Sequence, residues 1–111
     1  MDYNRTLIFG VPKNLLNKAL GEQGKNVKKI SEIVGTKVKI IPSPRGLMDV
    51  KPFIENIVKP VTFKSIEVKG NEMILTAGQQ NKAILIGRDK KRLLELQKIV
   101  SDYFGKELKI V

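Results

Sequence analysis

Two short glycine-led segments carry the residues best suited to chemistry in this chain. The first is Gly21, Glu22, Gln23 and Gly24, followed by Lys25, Asn26, Lys28 and Lys29; the second is Gly87, Arg88, Asp89 and Lys90, followed by Lys91 and Arg92. Each stands where one run of helical periodicity ends and another begins. Glycine lets an anion approach the main chain closely, the first amides of the following helix are open donors, and the basic side chains add long-range attraction. These features suit a phosphate group. Other chemistry lacks its residues. The chain has no Cys and no His, which removes disulfides and the usual zinc and iron-sulfur ligands, so neither a metal nor a cofactor is expected. The carboxylates are scattered among lysines and no nucleophile motif is present, so no catalytic residue and no small-molecule substrate are expected.

The elements that must position these segments are repeated. Gly21 and Gly87 are 66 residues apart, and the same offset carries Val27 onto Leu93, Ile30 onto Leu96, Ile33 onto Ile99 and Val34 onto Val100. At Gly35 and Gly105 the offset has grown to 70. A four-residue insertion is close to one helical turn of ~3.6 residues and so preserves the buried face of a helix. The repeat therefore comprises a loop, a helix and a closing strand, which chance reproduces far less readily than a short motif.

Reading along the chain, the alternation of Arg5, Leu7 and Phe9 with Thr6 and Ile8 predicts a strand ending near Gly10, followed by a helix over Pro12 to Leu20. A second helix is predicted from Asn26 to Val34, with Val27, Ile30, Ile33 and Val34 as its apolar side, stopped by Gly35. Thr36 to Ile41 alternates lysines with apolar residues as in a half-buried strand whose lysines line a wet face. The turn-rich stretch Pro42 to Asp49 reads as a connector, with Asp49 placed to cap a helix that carries Phe53, Ile54, Ile57 and Val58 and ends at Pro60. Two strands follow, joined by a tight turn at Gly70 and Asn71. A helix from about Gln79 to Ile86, a longer one to Phe104 and a last strand close the chain. Asp89 is a candidate cap for the long helix. Phe9, Phe53, Phe63, Tyr103 and Phe104 are assigned to core packing, since few aromatics leave little for a stacking platform.

A helix handing over to a second helix through GEQG resembles the KH domain of RNA-binding proteins, and the order helix, strand, strand, helix, helix, strand resembles its type II form. Two such units joined by DVKPFIENIVKP, with the long helix ending in DYFG, resemble the paired KH domains of archaeal NusA transcription factors. The resemblance covers nearly the whole chain. It implies an α+β fold of two fused type II KH-like lobes, each a small sheet covered by helices, with the first truncated at its N-terminus. The lobes would span residues 1–41 and 50–111, with 42–49 between them. It also implies binding of single-stranded RNA, a role in transcription elongation, termination or antitermination, and RNA polymerase as a further partner. RNA contacts would fall on Gly21, Glu22, Gln23, Gly24, Lys25, Asn26, Lys28 and Lys29, with Gly87, Arg88, Lys90, Lys91 and Arg92 as the second set. In that second loop Lys90 replaces the family's second glycine and Asp89 adds a negative charge, so the first loop is expected to dominate. The alternative is a degenerate pair that docks protein, either RNA polymerase or a ribosomal component.

Composition agrees with an anionic partner: 21 Lys and Arg against 11 Asp and Glu give a net charge of +10. No apolar run approaches the ~20 residues of a spanning helix and the N-terminus lacks a secretory pattern, so a cytoplasmic protein without a membrane partner is expected.

Overall fold

The computed structural model describes residues 1–21 and 24–111. It is a mixed α+β structure with two three-stranded sheets covered by helices. In the first, β1 (Asp2–Tyr3) pairs antiparallel with β2 (Thr6–Val11), which pairs parallel with β3 (Lys37–Pro42). A 3-10 turn (Lys13–Leu15), α1 (Leu16–Leu20) and α2 (Lys25–Val34) make the crossover between the parallel strands. After a second 3-10 turn (Leu47–Asp49) and α3 (Val50–Val58), the pattern recurs. Strands β4 (Ser65–Lys69) and β5 (Glu72–Thr76) form a hairpin, and β5 pairs parallel with β6 (Glu107–Ile110). Between β5 and β6 run α4 (Gln79–Ile86), a 3-10 turn (Arg88–Lys90) and α5 (Lys91–Phe104).

The first repeat thus has a hairpin that the sequence reading missed. Asn4 and Arg5 take φ of 50° and 60°, and a two-residue loop with both centres positive matches the right-handed strand twist. Asn accepts that conformation; Arg gives no such signal, and two residues of strand are too few to show a period. In the second hairpin Gly70 takes the positive φ, 56°, and Asn71 is not needed for it.

The helix α3 joins the two sheets. Its buried residues are Val50, Phe53, Ile54, Ile57 and Val58, a 3.6-residue stripe in which each fully buried side chain contributes about 1.5–3 kcal/mol by area. Asp49 precedes it but does not cap it. Its Oδ2 instead accepts from the backbone N–H of Arg45 at 3.0 Å and from Arg45 Nε at 3.1 Å, and these donors hold the Asp49 carboxyl below its ordinary range. The carboxylate therefore ties down the connector.

The helix α5 works on two sides. One side covers its own sheet, where Leu96 and Val100 are buried and Gln97 Nε2 donates to the Leu108 carbonyl at 3.2 Å. The other side meets the first sheet. Glu95 accepts from the Asn4 amide at 3.2 Å, Arg92 lies 6.0 Å from the centre of the Tyr3 ring, and Tyr103 stacks on Phe53 with ring centres 4.9 Å apart. Gly10 lies beneath Tyr103, where a Cβ would be 3.0 Å from the phenol oxygen, a tight contact. The four inserted residues of the repeat thus extend α5 by the turn that carries Tyr103.

The helix α2 has no such second partner among the described residues. The offset of 66 places Ile33 opposite Ile99, yet Ile33 is 75% exposed and Ile99 is 3% exposed. Val34 is also exposed where Val100 is fully buried, which corrects the expectation that all four apolar residues of α2 are covered. Phe9 is another correction, since it is exposed at the outer face of the first sheet. Phe53 is buried, while Phe63 and Phe104 are half-buried against the core. Tyr103 is partly exposed despite its stacking.

Candidate nucleic-acid interface

Where the two glycine segments are described, their backbones coincide. Gly21 has φ 71°, ψ 178° and Gly87 has φ 74°, ψ 174°. Gly24 has φ 72°, ψ 20° and Lys90 has φ 61°, ψ 21°. In each loop the fourth residue donates its amide to the first residue's carbonyl at 3.3 Å, and the leading glycine donates to the last turn of the helix before it at 3.0 Å. Glu22 and Gln23 lie outside the described residues.

The leading glycines are required on two grounds. Their ψ near 180° with positive φ is accessible to glycine alone. A Cβ on Gly21 would also meet the Asn26 side chain at 2.8 Å, and one on Gly87 would meet Arg92 Cγ at 2.6 Å. Asn26 and Arg92 are themselves repeat equivalents. The Asn26 side chain spans the loop and donates to the Lys18 carbonyl at 3.0 Å, closing α1. Arg92 turns instead to Glu95, with which it forms an ion pair.

The replacement of a glycine by Lys90 has therefore kept the loop path at the cost of left-handed backbone in a residue with a Cβ, ~1–2 kcal/mol. Asp89 shares that cost with φ 56°. It does not cap α5, because the loop places Lys90 at the N-cap position and no side chain there bonds the helix amides. Lys90→Gly should stabilise the protein by up to about 1 kcal/mol, the strain relief less the chain entropy of glycine. A urea midpoint that falls in this variant would show that the Lys90 side chain makes a compensating contact.

Both α2 and α5 begin without a side-chain cap and without an acidic residue in the first turn. Lys25, Lys28 and Lys29 are exposed, as are Arg88, Lys90 and Lys91. No ion pair among the described residues engages any of them. Lysines beside a helix N-terminus oppose the macrodipole by ~0.3–1 kcal/mol. Helix stability does not account for such placement in both repeats, whereas an anion held between amides and ammonium groups would. Arg92 stands apart as a half-buried residue facing the first sheet.

Sequence reading missed Lys39. In the parallel register it lies opposite Ile8, on the same face of the sheet as buried Ile41. The wet face assigned to the lysines of KVKI is wrong at this residue, because Lys39 shares the core-facing side of the sheet with Ile8 and Ile41. Its ammonium donates to the Asn56 carbonyl near the end of α3. Burial, and then the Lys59 charge, hold Lys39 below the usual lysine pKa. The available signal was Ile41 two residues on, a core residue on the same face of the strand.

Among the described residues no three His, Cys, Asp or Glu side chains cluster as metal ligands, and no helix is long and apolar enough to cross a membrane.

No family model matches the chain. A curated relative, described as "Probable transcription termination protein NusA" from Methanococcus vannielii, is 31% identical over 71 residues, which is 62% of this chain and 39% of that protein. The chain thus spans about two fifths of the relative's length. The match supports a NusA-like relationship. A solved structure described as "Crystal structure of APE1850" superposes with a TM-score of 0.66 at 21% identity, covering 97% of this chain and 80% of the other. That likeness concerns the fold, a mixed α+β arrangement.

Proposed function

We propose that the chain is a non-catalytic RNA-binding module of two KH-like units that acts in transcription, with single-stranded RNA held at the loop before α2 by Gly21, Glu22, Gln23, Gly24, Lys25, Asn26, Lys28 and Lys29. The observation that carries this reading is the coincidence of the two loop backbones, each opening an uncapped helix flanked by unpaired cations. The printed description of the curated relative supports the transcriptional setting. Gly87, Arg88, Lys90, Lys91 and Arg92 form the second contact, which the preserved path of the Lys90 loop favours. A second reading, docking on RNA polymerase or a ribosomal component, draws on exposed Leu47 and Met48 in the connector, the latter 81% exposed.

The test is a fluorescence-anisotropy titration of short single-stranded RNA, matched DNA and duplex RNA at several salt concentrations. Changing Glu22 and Gln23 together to Asp adds one negative charge where phosphate would lie. It should weaken single-stranded RNA binding at least ten-fold and leave the circular dichroism unchanged. Each phosphate contact in the single strand should contribute about 0.7 to the logarithmic salt slope. Equal affinity for all three nucleic acids, unaltered in the double variant, would sink this reading and direct attention to protein partners.

A further inference from the structure

Where the second glycine loop faces the first sheet, a cleft of about 410 Å³ opens. Its cations come from four places in the chain: Lys39 on β3, Lys59 just after α3, Arg88 in the loop and Arg92 on α5. No carboxylate lines it among the described residues, although Arg92 shares its charge with Glu95 behind. The remaining wall combines polar Asn4 and Thr6 with an apolar part that includes Tyr3 and the exposed side chain of Ile84. The volume falls in the ~300–1,000 Å³ range of small-ligand sites.

Arg92 has a structural role, held by Glu95 and the Tyr3 ring, but the other three cations lack a structural reason to converge on it. Lys39 has one hydrogen bond, to a neutral carbonyl, and an ammonium carries three donors. Burial and the neighbouring Lys59 both disfavour its charge, and a bound anion would offset both effects. Lys59 and Arg88 are exposed and make no ion pair among the described residues.

We propose that this cleft binds a nucleotide, with the phosphate among Lys39, Lys59, Arg88 and Arg92 and the base against the apolar part of the wall. Lys39 and Lys59 lie outside both repeated loops, so the site needs both sheets to be complete. It extends the proposed function, because the nucleotide has two possible sources, a free nucleoside monophosphate or one residue of a bound RNA strand.

The experiment is a 15N-1H NMR titration of the full chain with uridine, with uridine and adenosine monophosphates, and with a short oligouridine. The amides of Gly24 and Asn26 report the first loop, and those of Gly87 and Arg88 report the cleft. Monophosphates that shift the cleft amides while uridine does not would support a free nucleotide as ligand. Cleft shifts with the oligonucleotide alone would support the strand as source. In either case Lys39→Met and Lys59→Gln should each weaken the cleft response about ten-fold, as loss of one charged hydrogen bond does, while Lys64→Gln should not. Lys59 is exposed, so its variant remains informative if Lys39→Met fails to fold. Cleft amides unmoved by every ligand would overturn the proposal, even with shifts at Gly24 and Asn26, which would leave the first-loop reading standing. Movement of neither set by RNA would end both.

Discussion

Phe53→Ala is expected to cost about 3–5 kcal/mol, a large share of the ~5–15 kcal/mol that holds a small domain together. Phe53 is 2% exposed in the middle of α3. Its ring lies 4.9 Å from that of Tyr103 and 5.9 Å from that of Phe104 in an edge-on arrangement. Truncation would remove the apolar transfer energy and leave a void, because α3 is fixed by buried residues on either side and cannot collapse to fill it. Urea denaturation provides the check, with Phe9→Ala as the matched control. Phe9 is 39% exposed at the outer face, so its loss should cost about 1 kcal/mol or less. Equal losses from the two variants would mean that α3 does not join the sheets as described.

Gly87→Ala should be the next most damaging change, at about 2–4 kcal/mol. The φ of 74° with ψ of 174° costs any residue with a Cβ about 1–3 kcal/mol. The new methyl would also sit 2.6 Å from Arg92 Cγ and 3.1 Å from the Arg92 backbone nitrogen. Arg92 cannot swing away cheaply, because Glu95 and the Tyr3 ring hold it. Gly24→Ala should cost less, ~1–2 kcal/mol, because φ 72° with ψ 20° is the left-handed region that other residues also enter and nothing lies within 4 Å of its Cβ. Matching urea midpoints for the two variants would show that the Gly87 backbone relaxes and Arg92 yields. A loss at Gly87 that shrinks when the same change is made beside Arg92→Ala would show that the loop and the contact between the sheets are one mechanical unit.

The parts of the fold that depend on local chemistry were legible in the residues. Glycines at 21, 35, 87 and 105 take positive φ at the ends of helices, and the 3.6-residue stripe of α3 announced its burial. What escaped reading depends on which surfaces meet across the chain. The apolar pattern of α2 and that of α5 are nearly the same, yet only α5 has a second sheet to lie against, so Ile33 and Ile99 differ in burial for reasons outside their own helices. Lys39 escaped for the same reason, because the face it shares with Ile8 and Ile41 is covered by other parts of the chain. Of the candidate site, the described loop positions follow from the spacing of Gly21 and Gly24. Nothing in GRDK shows that Lys90 would accept left-handed backbone, since that depends on what its neighbours enforce.

The bond from the Asn4 amide to Glu95 spans 91 residues, and the seat of Tyr103 over Gly10 spans still more. Chains leave the ribosome from the N-terminus at about 5–20 residues per second. The first three strands can therefore be made while the helix that will cover Tyr3 is still unwritten, a delay of roughly 3–12 s at that rate. During synthesis the inner face of the first sheet is an apolar surface in waiting, and it is finished only by the turn that the second repeat added. A later stretch of the message completes a surface that an earlier stretch began.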